Sequence, residues 1–365
     1  MRKTLVLVML VPMLAGCITP DPDGPTLPTS ALPTLPVEAP KVDAVALLAD
    51  LKSWSSSFPL RANNLPDHEA ARQALAAEFR SFGLDVWRHN FTAGIPQADI
   101  VGIKWGEIRD EWVVVGGHYD VVPTPGCVTP PSQAGVGQQC PDAMGPLQTH
   151  GTYDDGSGTM LTMHLAKAYA NVPTRYTVAF VAFDGEERGL QGSKNLTETI
   201  VDGLTPYGNV SVHAMLDLDM FGLNWPGVDT PIYFDDNSPE VKQAVKDLVR
   251  KIGMPEDKIL YQGISLGRSD YASFFNIGVP TGFFISDFER YQAPADVPAN
   301  MQDIPVQQAK QAYPFWHRED TYDTMVLMAG SEADLRSGFQ TACDLSSGLL
   351  FRMAVDPAPM TVIQR

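Results

Sequence analysis

Residues 175–187 read RYTVAFVAFDGEE, and their reading decides the fold. From Tyr176 to Phe183 the run is almost continuously apolar and lacks the alternation of a half-exposed strand, so it predicts a strand covered on both faces. It stops abruptly and delivers two adjacent carboxylates, Glu186 and Glu187. Burying either one unpaired would cost on the order of several kcal/mol unless a cation or a proton compensates. Three further runs share the profile: WVVVGGHYD at 112–120, VHAMLDLDMFG at 212–222 and VPTGFFIS at 279–286. Between and around them lie stretches of helical spacing at 44–54, 67–82, 157–170, 195–201, 239–252 and 331–353. Asp67 is an N-cap candidate for the second, and Ser238 with Pro239 opens the fifth. The alternation predicts an α/β fold, a single domain with a central mixed, mostly parallel β-sheet flanked by helices.

In such a sheet, functional groups collect at the carboxyl ends of the strands. Here the strand ends supply His118 and Asp120, Glu186 and Glu187, and Asp217 and Asp219. GTYDDGSG at 151–158 adds Asp154 and Asp155 before a helix start, and PFWHREDTYDT at 314–324 adds His317. Histidine with several carboxylates is a hard nitrogen and oxygen donor set, suited to zinc, manganese or cobalt. Two His, two Asp and one Glu can hold two ions if one carboxylate bridges them, a device that activates water against a carbonyl. The spacing of His118 and Asp120 lets a carboxylate sit behind the imidazole and fix its tautomer. Taken singly, each residue also has a plain reading as a core histidine, helix cap, turn former or surface group. The joint pattern of acids ending buried strands is what favours a site.

These segments resemble metallopeptidase family 28, the two-zinc aminopeptidases secreted by bacteria. The resemblance runs from about residue 53 to 352 and rests on GGHYD, DDGSG, FDGEERGLQGS, LDLDMFG, GRSDYASF followed by GVP, and the closing HREDT, in the family's order. It implies that His118 and Asp219 bind one zinc, Glu187 and His317 a second, and Asp154 both. It further implies Glu186 as general base, Asp120 as the partner behind His118, and a cis peptide between Asp154 and Asp155. The implied reaction is hydrolysis of N-terminal peptide bonds of peptides or proteins, without a covalent intermediate. Two departures touch the substrate side: Trp316 stands where some secreted members carry tyrosine, and Tyr271 where many relatives have histidine. Arg268, Tyr271 and Trp316 are therefore candidate substrate contacts.

The chain begins MRKTLVLVMLVPMLAGC, a basic pair, an apolar run too short to span a bilayer, and Leu14-Ala15-Gly16-Cys17. Those four residues resemble the bacterial lipobox, which makes 1–16 a lipoprotein signal peptide and Cys17 a lipid anchor; the plain alternative is a signal peptide with an incidental cysteine. A Pro/Thr-rich tether at 17–43, a catalytic domain at 44–355 and a tail at 356–365 complete the expected organisation. The expected location is the cell envelope outside the cytoplasm, with the membrane reached only through the lipid. A net charge of −17 argues against nucleic acid as a partner. In an oxidising compartment Cys127 and Cys140, within one Pro/Gly-rich loop, are expected to pair, while Cys343 reads as a buried small hydrophobe. The absence of any C-x-x-C pair argues against a zinc finger.

Rival readings exist. GISLG at 263–267 matches the G-x-S-x-G elbow of serine hydrolases, with Ser265 as nucleophile and His317 following. That reading leaves the acids at three other strand ends unexplained. Within the resembling fold, a carboxypeptidase would need a basic pocket, and a glutaminyl cyclase, which uses a single zinc, would not need all five ligands. A lipoprotein scaffold with a degenerate site is disfavoured by an intact Glu186.

Overall fold

The computed structural model describes residues 35, 38–62, 65–122, 150–223, 232–261, 269–286, 320–355 and 360–361. Cys17, Cys127, Cys140, Ser265, Arg268, Trp316 and His317 lie outside them, as do the signal segment and most of the tether. The helices are α1 (Ala44–Ser57), α2 (Pro66–Ser81), α3 (Gly156–Tyr169), α4 (Gln191–Val201), α5 (Pro239–Lys251), α6 (Tyr271–Asn276), α7 (Tyr322–Ala329) and α8 (Glu332–Ala354). The strands are β1 (Asp85–Thr92), β2 (Pro96–Lys104), β3 (Ile108–His118), β4 (Tyr176–Phe183), β5 (Ser211–Leu218), β6 (Ile232–Asp236), β7 (Ile259–Tyr261) and β8 (Thr281–Ile285).

All eight strands form one sheet in the order β1-β2-β4-β3-β5-β8-β6-β7. Its middle, β4, β3, β5 and β8, is parallel, and these are the strands that read as continuous apolar runs. Every residue of β4 is buried, as a strand covered on both faces requires. β1 and β2 add an antiparallel pair on one side, and β6 runs antiparallel to β8 on the other, so the sheet is mixed as expected. The parallel register sets His118 opposite Phe183 and Gly116 opposite Asp217, which brings the ends of β3, β4 and β5 to one level.

Helix α3 packs on β3, β4 and β5 so closely that a Cβ at Gly158 would overlap the Leu218 carbonyl oxygen. Only glycine permits that approach, and it carries the start of α3 to the strand ends. Ser238 caps α5 through the Val241 N–H, as the sequence predicts. The start of α2 is a correction: Leu65 is the N-cap, Pro66 takes the first turn, and Asp67 lies inside the helix. Its carboxylate accepts instead from the Leu60 N–H at 2.8 Å. Proline fixes the helical φ one residue earlier than a capping side chain at Asp67 would. Cys343 is free and fully buried in α8. Among the described residues no helix is long and apolar enough to cross a membrane.

Candidate metal centre

Three strand ends and one turn converge on His118. Its Nε2 lies 3.1 Å from Asp154 Oδ1, 3.8 Å from Asp219 Oδ1 and 3.9 Å from Glu186 Oε2. One ligand atom each from His118, Asp154 and Asp219 falls within 4.8 Å of the others, and all three residues are buried. Glu186 keeps 12 % of its side-chain surface open against 1 % for His118, so it is the less enclosed of the two. Glu187 follows it in the 3-10 turn Glu186–Arg188, which Gly185 enters at φ +69°, a left-handed conformation suited to glycine.

The Asp154–Asp155 peptide is cis, as the resemblance implies. The two carboxylates have separate tasks. Asp154 faces His118, whereas Asp155 caps α3 through the Gly158 N–H at 2.7 Å, and accepts from the main-chain N–H of His118 at 3.1 Å and of Met220 at 3.2 Å. Asp155 thus fastens the helix start to the ends of β3 and β5. Behind His118, Nδ1 has the Asp120 main-chain carbonyl as its nearest partner at 3.1 Å, with the Asp120 carboxylate at 3.5 Å. A carbonyl only accepts, so Nδ1 carries a proton and Nε2 is the ring nitrogen turned toward Asp154. The sequence reading gave that duty to the carboxylate; Asp120 Oδ1 also accepts from the Glu186 N–H at 3.1 Å.

A ring of buried groups missed in the sequence holds these turns. Asp320 accepts from the N–H groups of Tyr153 and Asp154, both oxygens at 2.9 and 3.1 Å for the former and Oδ2 at 2.8 Å for the latter. Asp184, just ahead of the glutamates, binds His68 at 2.8 Å and Arg72 at 2.9 Å, and Arg72 also reaches the Tyr119 hydroxyl at 2.9 Å. Asp99 accepts from the Asp184 N–H at 2.9 Å while pairing with His89 at 2.8 Å. The signal available in the sequence was Asp184, the acid two residues ahead of Glu186 in DGEE; its partners on α2 were not legible. Tyr271, expected at the substrate, is fully buried, and its hydroxyl donates to Asp235 at 2.7 Å. That contact engages the hydroxyl inside the core rather than at an open site.

The electrostatics call for a cation. Burial raises Glu186 well above the usual carboxylate range, with Glu187, Asp219 and Asp270 pushing the same way against His118. Asp219 is raised by burial and then by Asp154 and Asp217. Burial pulls His118 down, yet Glu186, Asp120, Asp154 and Asp219 together hold it well above its ordinary value. Asp219 Oδ1 is buried without a hydrogen-bond partner among the described residues. Mutually repelling buried carboxylates, an open acceptor and an imidazole nitrogen facing them are the donor set a divalent zinc-type ion fits, the ion taking the place of the proton.

Known proteins agree with this architecture. A probable zinc metalloprotease of Phaeosphaeria nodorum is 32% identical over 123 residues, 34% of this chain and 23% of that protein. Aminopeptidase YwaD of Bacillus subtilis is 30% identical over 138 residues, 37% of this chain and 28% of that one. The match thus spans about a quarter of the length of these curated relatives. Among solved structures, a zinc aminopeptidase from Bacillus subtilis superimposes with a TM-score of 0.63 at 16% identity, over 87% of this chain and 97% of that one. A glutaminyl cyclase from an Acidobacteriales bacterium does so at 0.61 and 18%, over 88% and 98%. Both likenesses speak for the fold. The family model described as Peptidase family M28 matches residues 99–330, more than half of the sequence, from within β2 to the end of α7 and including the convergent acids, and the chain belongs to that family.

Proposed function

We propose that this protein is a metal-dependent aminopeptidase that hydrolyses N-terminal peptide bonds with two zinc ions per chain. The observation that carries the reading is the buried His118, Asp154 and Asp219 trio with Glu186 at its open edge, 3.9 Å from His118. In this reading His118 and Asp219 hold one ion, Glu187 and His317 the other, and Asp154 is shared. Zinc, when bound, polarises a carbonyl and acidifies water. Glu186 takes the proton of the attacking water and returns it to the leaving amine, which requires that it stay out of the ligand set. Asp120 holds the Glu186 main chain in place. Relatives named as aminopeptidases and the family membership support the substrate class.

Glutaminyl cyclase chemistry is the second reading, favoured by the structural likeness to such an enzyme. Lipid anchoring at Cys17, export, a tether at 17–43, a catalytic domain at 44–355 and a Cys127–Cys140 disulfide complete the proposal; the sequence of the first 17 residues supports the anchor. The metal-loaded protein assayed on aminoacyl chromogenic amides, with N-acetylated controls and an N-terminal glutaminyl peptide, tests it. Cleavage of free-amine substrates alone is expected; equal cleavage of blocked substrates refutes an aminopeptidase, and cyclisation of the glutaminyl peptide without amide hydrolysis favours the cyclase.

A further inference from the structure

Arg61 lies between α1 and α2, ahead of the residues that match the family model, and its side chain is fully buried. Taking a guanidinium out of water is costly unless its donors are satisfied and its charge is balanced. Both conditions are met in a telling way. Nε donates to the Tyr119 carbonyl at 2.6 Å, Nη1 to the His150 carbonyl and, at 3.4 Å, to that of Phe58, and Nη2 to the Gly151 carbonyl. The guanidinium Cζ lies over the Trp54 ring, 4.4 Å from its centroid, which supports the cation.

Two of the three gripped segments bear the metal-centre candidates. Tyr119 stands between His118 and Asp120, and Gly151 opens the turn that ends in Asp154. The turn is tightly packed at this point: Gly151 sits at φ +51°, and a Cβ there would run into the Val121 side chain, the Asp154 carbonyl at 2.7 Å and Arg61 Nη2 at 2.8 Å. The Gly151 carbonyl that accepts from Arg61 also accepts from the Gly156 N–H at 3.0 Å, which links the clamp to the start of α3. Burial lowers the arginine to about 10, while Asp320, Asp155, Asp120 and Asp154 pull it upward, so it remains a cation at neutral pH and faces the acids of the centre.

We propose that Arg61 is a positioning residue that binds the 150–154 turn to the end of β3 and thereby fixes Asp154 against His118. The five donors of a guanidinium lie in one rigid plane, which lets a single side chain set the spacing of several carbonyls; an ammonium has no such geometry. The role of the clamp in the reaction rests on the reading of His118 and Asp154 as zinc ligands. The positioning itself does not.

The full chain with Arg61→Lys and with Arg61→Met tests this by two measurements: amide hydrogen exchange resolved by segment in the metal-free protein, and zinc affinity by competition with a chelator. Arg61→Lys is expected to raise exchange across 150–155 by about tenfold or more while β5 keeps its wild-type protection, and to weaken zinc binding by about 10–100-fold. Turnover should fall through kcat more than through KM. Should Arg61→Met fail to fold, Arg61→Lys still decides the matter. Wild-type exchange at 150–155 together with wild-type zinc affinity would overturn the proposal, and so would a uniform rise in exchange over the whole sheet with unchanged zinc affinity. If the wild-type chain takes up no zinc while the localised exchange effect is found, the positioning stands and the metal reading is what fails.

Discussion

The main-chain N–H of Glu186 donates to Oδ1 of Asp120 at 3.1 Å, so the residue two places beyond His118 anchors the turn that carries both glutamates. One carboxylate thereby links the imidazole of β3 to the base candidate after β4, although the two strands reach the site independently.

Asp120→Ala removes that acceptor and the carboxylate 3.5 Å from His118 Nδ1, while the main-chain carbonyl at 3.1 Å stays. Loss of such an outer partner lowers activity or metal affinity by about 10–100-fold in metal sites. Steady-state kinetics should show a fall of that size in kcat/KM, and Asp120→Asn, which keeps an acceptor oxygen for Glu186, should lie between the alanine variant and wild type. An alanine variant with wild-type kinetics would remove Asp120 from the machinery.

Gly158→Ala tests the close approach of α3 to the strand ends. The added methyl meets the Leu218 carbonyl, which is main chain and cannot swing away, and comes 2.5 Å from Asp155 Oδ2. A destabilisation of about 3 kcal/mol or more is expected in urea unfolding of the metal-free protein. A loss under about 1 kcal/mol would mean that the helix can shift without cost to the sheet.

How much of this was legible can be argued from particular residues. The parallel strands β3, β4, β5 and β8 announced themselves because burial on both faces leaves unbroken apolar runs, and the acids at their ends stood out against that background. β1 and β2 were not read: DVWRHNFT mixes polar and apolar residues, and only its pairing with β2 makes it a strand. Arg61, Arg72 and His68 are buried, and nothing local in a sequence marks a cation as buried. Their partners are a carbonyl at 119, a carboxylate at 184 and a turn at 150–151, contacts that exist only once the sheet has formed. Asp320 escaped for the same reason, as its acceptors serve N–H groups more than 160 positions away in the chain.

Stability should carry a pH signature from Lys104, at the end of β2. Burial lowers its ammonium to about 8 from an ordinary 10.5, and Nζ donates to Thr174 Oγ1 at 2.9 Å and the Trp105 carbonyl at 3.1 Å. Below about 8 both folded and unfolded chains hold the proton and the folded state bears the burial penalty. Between about 8 and 10.5 the unfolded chain binds more protons than the folded one, so this group's contribution to stability rises with pH. Measured against Lys104→Met, the wild type should gain about 1 kcal/mol from pH 7 to pH 10, a figure reduced for the part of the ammonium open to solvent. A constant difference across that range would contradict the burial of the charge.

The division of labour between the two adjacent glutamates is the central claim, and one paired measurement tests it most directly: zinc content and aminopeptide turnover of Glu186→Gln beside Glu187→Gln. The account predicts that Glu186→Gln loses turnover by several orders of magnitude while keeping the zinc content of the wild type, and that Glu187→Gln loses zinc. Loss of zinc together with turnover in Glu186→Gln, or turnover that survives that substitution, would contradict it.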